Sequence, residues 1–175
     1  IGSGTVLDTA RLKYLLSRHL NVDARSVHAV IIGEHGDSEL AVWSGANISG
    51  IDLTPFCELR GYMSDEKNMR KIYENVRDSA YEIIERKGAT YYGIAMAVAR
   101  ISECIVKDEQ SILPVSAVLE GEYGLEGLSL SVPSILGRTG VEKVLEIPLS
   151  PKERSELTAS AENLKNVIEE IGLTT

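Results

Sequence analysis

Two short runs hold the residue types from which proton transfer and carboxylate binding could be built. The first is Leu7-Asp8-Thr9-Ala10-Arg11. On a helix Asp8 and Arg11 share one face, and Leu12 and Leu15 continue it. Charged groups on an apolar stripe are costly unless paired. Spacing alone allows a surface ion pair worth roughly a few tenths of a kcal/mol. It also allows Arg11 to act as a planar fork gripping a substrate carboxylate through two parallel hydrogen bonds, a task lysine performs less well. The second run is Gly33-Glu34-His35-Gly36-Asp37-Ser38, directly after an apolar β-branched stretch. Flanking glycines let the backbone turn sharply and a ligand approach. An imidazole, with an unperturbed pKa of about 6.5, exchanges protons readily near neutral pH. Taken alone, this histidine could equally be an ordinary loop residue.

The elements that must carry these runs are legible in outline. Leu7, Ala10, Tyr14 and Leu15 recur at helical spacing and predict a helix over 6–20. His28–Gly33 reads as one strand closed by the glycine-rich turn, with further short strands over Leu40–Trp43 and Asn47–Leu53. A long helix is predicted from Asp65 to Lys87, stopped by Gly88, and a second over Tyr91–Val106. Strands follow at Ser111–Glu120, Leu128–Leu136 and Val141–Ile147, the first two joined through Gly121, Gly124 and Gly127. Ser150-Pro151-Lys152-Glu153 is a capping box with proline at the first helical position. It opens a helix whose apolar seam is Leu157, Ala161, Leu164, Ile168 and Ile171. Strand pairs lying between long helices give an α+β class, a mostly antiparallel twisted sheet packed with those helices.

The 175 residues fit a single substrate-binding domain over 1–175. Lys and Arg number 18 against 26 acidic residues, a formal net charge of -8, which favours neither nucleic acid nor an anionic membrane as partner. No apolar run approaches the roughly 20 residues of a membrane span. Cys57 and Cys104 stand far apart and read as free thiols in a reducing, cytoplasmic setting. His19, His28 and His35 form no metal-like pattern, and no metal is expected. No Gly-x-Gly-x-x-Gly follows a strand, and Gly2-x-Gly4 lacks both the third glycine and the strand. A dinucleotide-binding unit is therefore expected to be missing. The opening Ile1-Gly2-Ser3-Gly4-Thr5 reads as the interior of a longer chain, with no secretory leader expected.

Taken together, Leu7-Asp8-Thr9-Ala10-Arg11 and Ile32-Gly33-Glu34-His35-Gly36-Asp37-Ser38 resemble the L-lactate dehydrogenases, with the related malate dehydrogenases behind them. The resemblance runs the whole length of the chain and begins partway through the family's pattern. It implies the family's C-terminal catalytic domain, with the N-terminal NAD-binding Rossmann half absent. It also implies that His35 donates a proton to the keto oxygen of pyruvate as hydride arrives from NADH, and takes it back in lactate oxidation. Asp8 would orient the imidazole and favour its charged form, as the acid of a hydrolase triad does. Arg11 would anchor the substrate carboxylate.

By the same resemblance, Thr90 in Lys87-Gly88-Ala89-Thr90-Tyr91-Tyr92 forms the wall of a pocket for a small methyl-bearing substrate, a role compatible with a helix N-cap. Ser3 and Ile94 would lie beside the nicotinamide, although an isoleucine on a helix is usually core. Many bacterial members are homotetramers activated by fructose 1,6-bisphosphate, and His28 matches a histidine of that site. Its partner position holds Lys13 where activated members typically carry arginine; lysine still binds phosphate as a point charge. The run Gly88-Ala89-Thr90-Tyr91-Tyr92-Gly93-Ile94-Ala95 favours lactate over malate dehydrogenase. The parent reading is thus a cytoplasmic NAD-dependent oxidoreductase of glycolysis and pyruvate fermentation. The isolated chain is expected to be inactive, and its alternative reading is an assembly module.

Overall fold

A computed structural model describes residues 1–62 and 66–172. Helix α1 (Val6–Leu20) buries Leu12, Leu16 and Leu20, one turn apart on a single face, and ends at Asn21 in the left-handed conformation that asparagine tolerates. Chain order then gives β1 (Val27–His28), β2 (Ile31–Ile32), β3 (Leu40–Ala41), β4 (Asn47–Ile48), β5 (Ile51–Asp52) and helix α2 (Leu53–Arg60). Helices α3 (Glu66–Lys87) and α4 (Tyr92–Lys107) precede the long strands β6 (Ser111–Glu120) and β7 (Glu126–Gly137), the short β8 (Gly140–Val144) and the last helix, α5 (Pro151–Glu170). The class is α+β, and every strand pairing among the described residues is antiparallel.

The first half departs from the sequence expectations in three places. The single strand expected over His28–Gly33 is two strands belonging to different sheets: β1 pairs with β4, and β2 with β3. The strand expected over Asn47–Leu53 is the hairpin β4–β5, turned at Ser49-Gly50, both of which have positive φ. Leu53 then starts α2, a helix with no counterpart in the sequence expectations. Its signs were present: Pro55 within the first turn, and Gly61 with φ of 68° just beyond the end. Asp65, the expected start of the next helix, lies outside the described residues, and from Glu66 onward that helix follows expectation. The strand expected over Val141–Ile147 runs instead from Gly140 to Val144.

The β6–β7 hairpin is the platform of the molecule. Ser116 faces Ser131 across it, Gly2 pairs with Ser116 on one side, and Gly33 pairs with Ser131 on the other. One rung therefore crosses four segments in the order Gly2, Ser116, Ser131, Gly33. Gly4 can lie this close only without a side chain, because a Cβ there would stand 2.6 Å from the Ser116 amide nitrogen. Three apolar clusters fill the spaces: α1, α2 and α3 over the short strands, α5 against the hairpin and β2–β3, and α4 with Val6 against the hairpin's other end. The α5 seam is buried at Leu157 and Ala161, half-buried at Leu164 and Ile168, and exposed at Ile171. No helix among the described residues is long and apolar enough to cross a membrane.

Candidate active site

The starting point is how α1 and β2 are locked together. Thr5 and Thr9 are one turn apart and point the same way. The Thr5 hydroxyl donates to the Ile31 carbonyl at 2.5 Å, and the Thr9 hydroxyl accepts from the Ile31 amide at 2.9 Å. Both backbone polar groups of one strand residue are thus bound by α1, with Asp8 between the two threonines. Thr5 holds the N-cap position but makes no cap hydrogen bond; its hydroxyl bonds Ile31 instead.

Beyond β2 the chain enters the histidine loop, which has its own supports. Gly33 has φ of 101°, a conformation that favours glycine, and a Cβ there would stand 2.8 Å from Ser160 Oγ on α5. The Glu34 amide donates to that Ser160 oxygen at 2.8 Å, and the Ser38 hydroxyl lies 3.2 Å from it. The Ser38 hydroxyl also bonds the Glu34 carboxylate, closing the loop on itself. From α3, the Tyr81 hydroxyl donates to Asp37 at 3.1 Å and the Tyr73 hydroxyl donates to the Glu39 carbonyl. The base of α5 is anchored by its capping box. The Glu153 carboxylate accepts the Ser150 amide at 2.8 Å and the Ser44 amide at 2.9 Å. Burial alone would raise the Glu153 pKa, but its bonds from Ser44 and Ser150 outweigh burial and lower it.

These supports bring His35, Asp8 and Arg11 together. His35 Nδ1 lies 3.0 Å from Asp8 Oδ2, and Arg11 Nη1 donates to Asp8 Oδ1 at 3.1 Å. The Asp8 side chain is 4% exposed and that of Arg11 17%, whereas that of His35 is 55% exposed. The ion pair is therefore not the solvated surface pair that spacing alone allowed. Asp8 Oδ2 has no aligned hydrogen-bond donor among the described residues, so its link to the imidazole is one of charge and proximity. With Nδ1 turned to the carboxylate, Nε2 is left for a ligand. Among the described residues Arg11 makes no hydrogen bond through Nε or Nη2, leaving a pair of donors for a second carboxylate.

A residue absent from the sequence reading joins them. Glu39 is buried and its Oε2 stands 3.9 Å from His35 Nδ1. It follows His35 by four residues, but in a loop and not a helix, so its approach is set by the loop fold alone. The Asp8 carboxylate first, and Glu39 second, hold the imidazole pKa up at about 10 against the opposing effect of partial burial. Asp8, His35 and Glu39 also offer ligand atoms within 4.8 Å of one another, close enough for a cation. The Arg11 guanidinium on Asp8 Oδ1 opposes a further positive charge there.

The remaining candidates are more dispersed. Thr90 is half-buried in the turn between α3 and α4, but Tyr91, not Thr90, occupies the N-cap position, and without a side-chain cap bond. Ile94 is half-buried and packs against the cluster of Val6 and Ala97, so much of it is core. The start of α4 also lies against α1: a Cβ on Gly93 would stand 3.2 Å from the Leu7 side chain. Ser3 is half-buried next to the Gly2–Ser116 rung. Lys13 is half-buried on α1, where desolvation lowers its pKa, and His28 is exposed on β1. No side-chain hydrogen bond or ion pair joins Lys13 or His28 to another described residue.

Comparison with known proteins leads the same way. The pattern of the lactate/malate dehydrogenase alpha/beta C-terminal domain matches residues 5–173. The L-lactate dehydrogenase of Acetivibrio thermocellus is 53% identical over 173 residues, 99% of this chain and 55% of that protein. The L-lactate dehydrogenase of Priestia megaterium is 52% identical over 165 residues, 94% of this chain and 52% of that protein. Among solved structures, the minor L-lactate dehydrogenase from Enterococcus mundtii in its ligands-bound form superposes with a TM-score of 0.93 at 41% identity, over 99% of this chain and 55% of that one. The chain spans about half the length of the curated relatives it matches.

Proposed function

This chain belongs to the lactate/malate dehydrogenase family, as its alpha/beta C-terminal domain, and on that premise we propose that it supplies the substrate-binding and acid–base half of an NAD-dependent L-lactate dehydrogenase. The observation that carries the reading is the grouping of Asp8, Arg11 and His35, drawn from a helix and a loop. Arg11 presents its unused donors to the carboxylate of a 2-oxo acid. His35, charged at neutral pH, places Nε2 toward the keto oxygen and gives it a proton. The neutral imidazole takes that proton back when the 2-hydroxy acid is oxidised. Asp8 holds Nδ1 and stabilises the charged ring in both directions.

A bound nicotinamide cofactor supplies or accepts the two electrons and one hydrogen. The residues present fit only its nicotinamide end. Ser3 and Ile94, both half-buried near the start of α1, could touch it, while nothing among the described residues forms a phosphate-cradling glycine loop. Pyruvate is favoured over larger 2-oxo acids by Thr90 as pocket wall, and by relatives that carry the name L-lactate dehydrogenase.

Assembly is the second part of the reading. The α4 face carries Tyr92, Met96 and Val106, each more than 70% exposed, an apolar area suited to cover by another subunit or another half of the protein. We place fructose 1,6-bisphosphate at Lys13 and His28 between such subunits, and the setting in the cytoplasm. Light scattering with and without the sugar bisphosphate tests this; a monomer indifferent to it would exclude the assembly role.

The catalytic reading is tested by assaying pyruvate reduction with NADH, using the chain alone and the chain fused to the nucleotide-binding half of the Acetivibrio thermocellus relative. The chain alone is expected to turn over negligibly, and the fusion to turn over. A fusion that binds NADH yet leaves pyruvate unreduced would refute the proposal.

A further inference from the structure

We propose that Glu39 is a positioning residue for His35, a second carboxylate beside the imidazole that works with Asp8 to keep the ring charged until substrate takes its proton. The proposal rests on the catalytic reading above, which assigns the proton to His35.

The geometry is specific. Glu39 ends the histidine loop immediately before β3, and its side chain is 3% exposed. Oε2 faces Nδ1 of His35 at 3.9 Å, and Oε1 is buried without an aligned donor among the described residues. Tyr73 fixes the Glu39 backbone through the carbonyl, not the carboxylate. A buried carboxylate short of donors is unfavourable unless charge compensates it. The compensating groups are His35 and, more distantly, Arg11 from α1; Asp8, also from α1, opposes them. Around Tyr73 stand Arg77 from α3, Asp37 from the loop and Glu156 from α5. With every member ionised, Asp8 and Glu39 balance Arg11 and His35.

Loss of the imidazole proton breaks that balance and leaves an extra negative charge in a partly buried site. Burial pushes the Glu39 carboxyl above the usual glutamate range while the His35 contact draws it back, so the charge on each group supports the charge on the other. The two titrations are therefore coupled and belong to the pair. This gives Glu39 a consequence that ordinary packing would not have. It moves the pH at which the imidazole discharges and leaves carboxylate binding by Arg11 alone.

The test is Glu39→Gln, which keeps shape and removes charge. In the fused enzyme, the alkaline limb of kcat/KM for pyruvate reduction should move down by about one pH unit, with the low-pH plateau and KM nearly unchanged. Lactate oxidation near neutral pH should rise several-fold. An unshifted limb, or a loss equal at every pH, overturns the proposal. If the unsubstituted fusion is inactive, the catalytic reading has failed instead, and NMR of the chain still decides the role of Glu39. The His35 ring must then titrate at lower pH in E39Q, and an unchanged midpoint overturns the proposal. If E39Q does not fold, the carboxyl-labelled Glu39 signal of the unsubstituted chain must show a shift step at the pH where His35 discharges; a signal flat through that pH overturns it.

Discussion

The Thr9 hydroxyl accepts the Ile31 amide at 2.9 Å across 22 residues of sequence, and Asp8, the neighbour of Thr9, thereby meets the loop that Ile31 leads into. Thr9→Val preserves volume and removes the acceptor, leaving a buried N–H without a partner. Such a loss costs about 1–3 kcal/mol. Urea denaturation of the chain should show a lower midpoint with unchanged m-value, and the fused enzyme should lose activity beyond what partial unfolding explains.

Asp8→Asn tests the electrostatics of the site directly. Replacing the nearest negative charge should bring the His35 midpoint down from about 10 toward the ordinary 6.5, followed by the ring protons in NMR. It should also lower kcat/KM of the fused enzyme about 10²-fold or more, the scale of a positioned acid–base group.

Arg11→Lys is not conservative here. Lysine can reach Asp8 or a substrate carboxylate as a point charge, but it cannot bond both with a planar fork. Losing one charge-assisted bond of about 1.5–3 kcal/mol predicts a rise in KM for pyruvate of roughly 10- to 10²-fold, with the pH profile in place. Steady-state kinetics in which KM stays constant would remove Arg11 from substrate binding.

Stability should also depend on pH through His35. In the unfolded chain the imidazole titrates near 6.5, and in the folded chain near 10. The folded state thus binds the proton more tightly. Its contribution is complete below about 6.5 and is lost as pH rises toward 10. Because the side chain is half-exposed, solvent screening keeps the effect small. The fall in Tm between pH 7 and 10 should be shallower for His35→Gln than for the unsubstituted chain, as read by calorimetry.

The parts legible in sequence were those encoded locally. Helix α5 announces itself through Ser150, Pro151 and Glu153 within four residues, and α1 through its apolar spacing. Strands β1 and β2 share one apolar run, and only partners at Asn47–Ile48 and Leu40–Ala41 decide that the run splits. Helix α2 was hidden because Ile51 and Leu53 continue a β-like pattern, and Pro55 and Gly61 were the better guides. In the site, Asp8, Arg11 and His35 were recognisable by type and motif. Thr5, Thr9 and Ser160 were not, because what each contributes is a partner far along the chain; Glu39 stands only four residues from His35, but in a loop whose path no local pattern encodes.

The four-segment rung gives the site a place in time as well as in space. Residues 8–39 carry the groups proposed to move the proton and to bind the carboxylate, and a ribosome would deliver them before the elements that align them. Their alignment, however, needs Ser116 and Ser131 paired in register, and the loop needs Ser160 as well. A growing chain therefore holds Asp8, Arg11 and His35 long before it can use them. Proton transfer becomes possible only once the β6–β7 hairpin has closed and the final helix has docked.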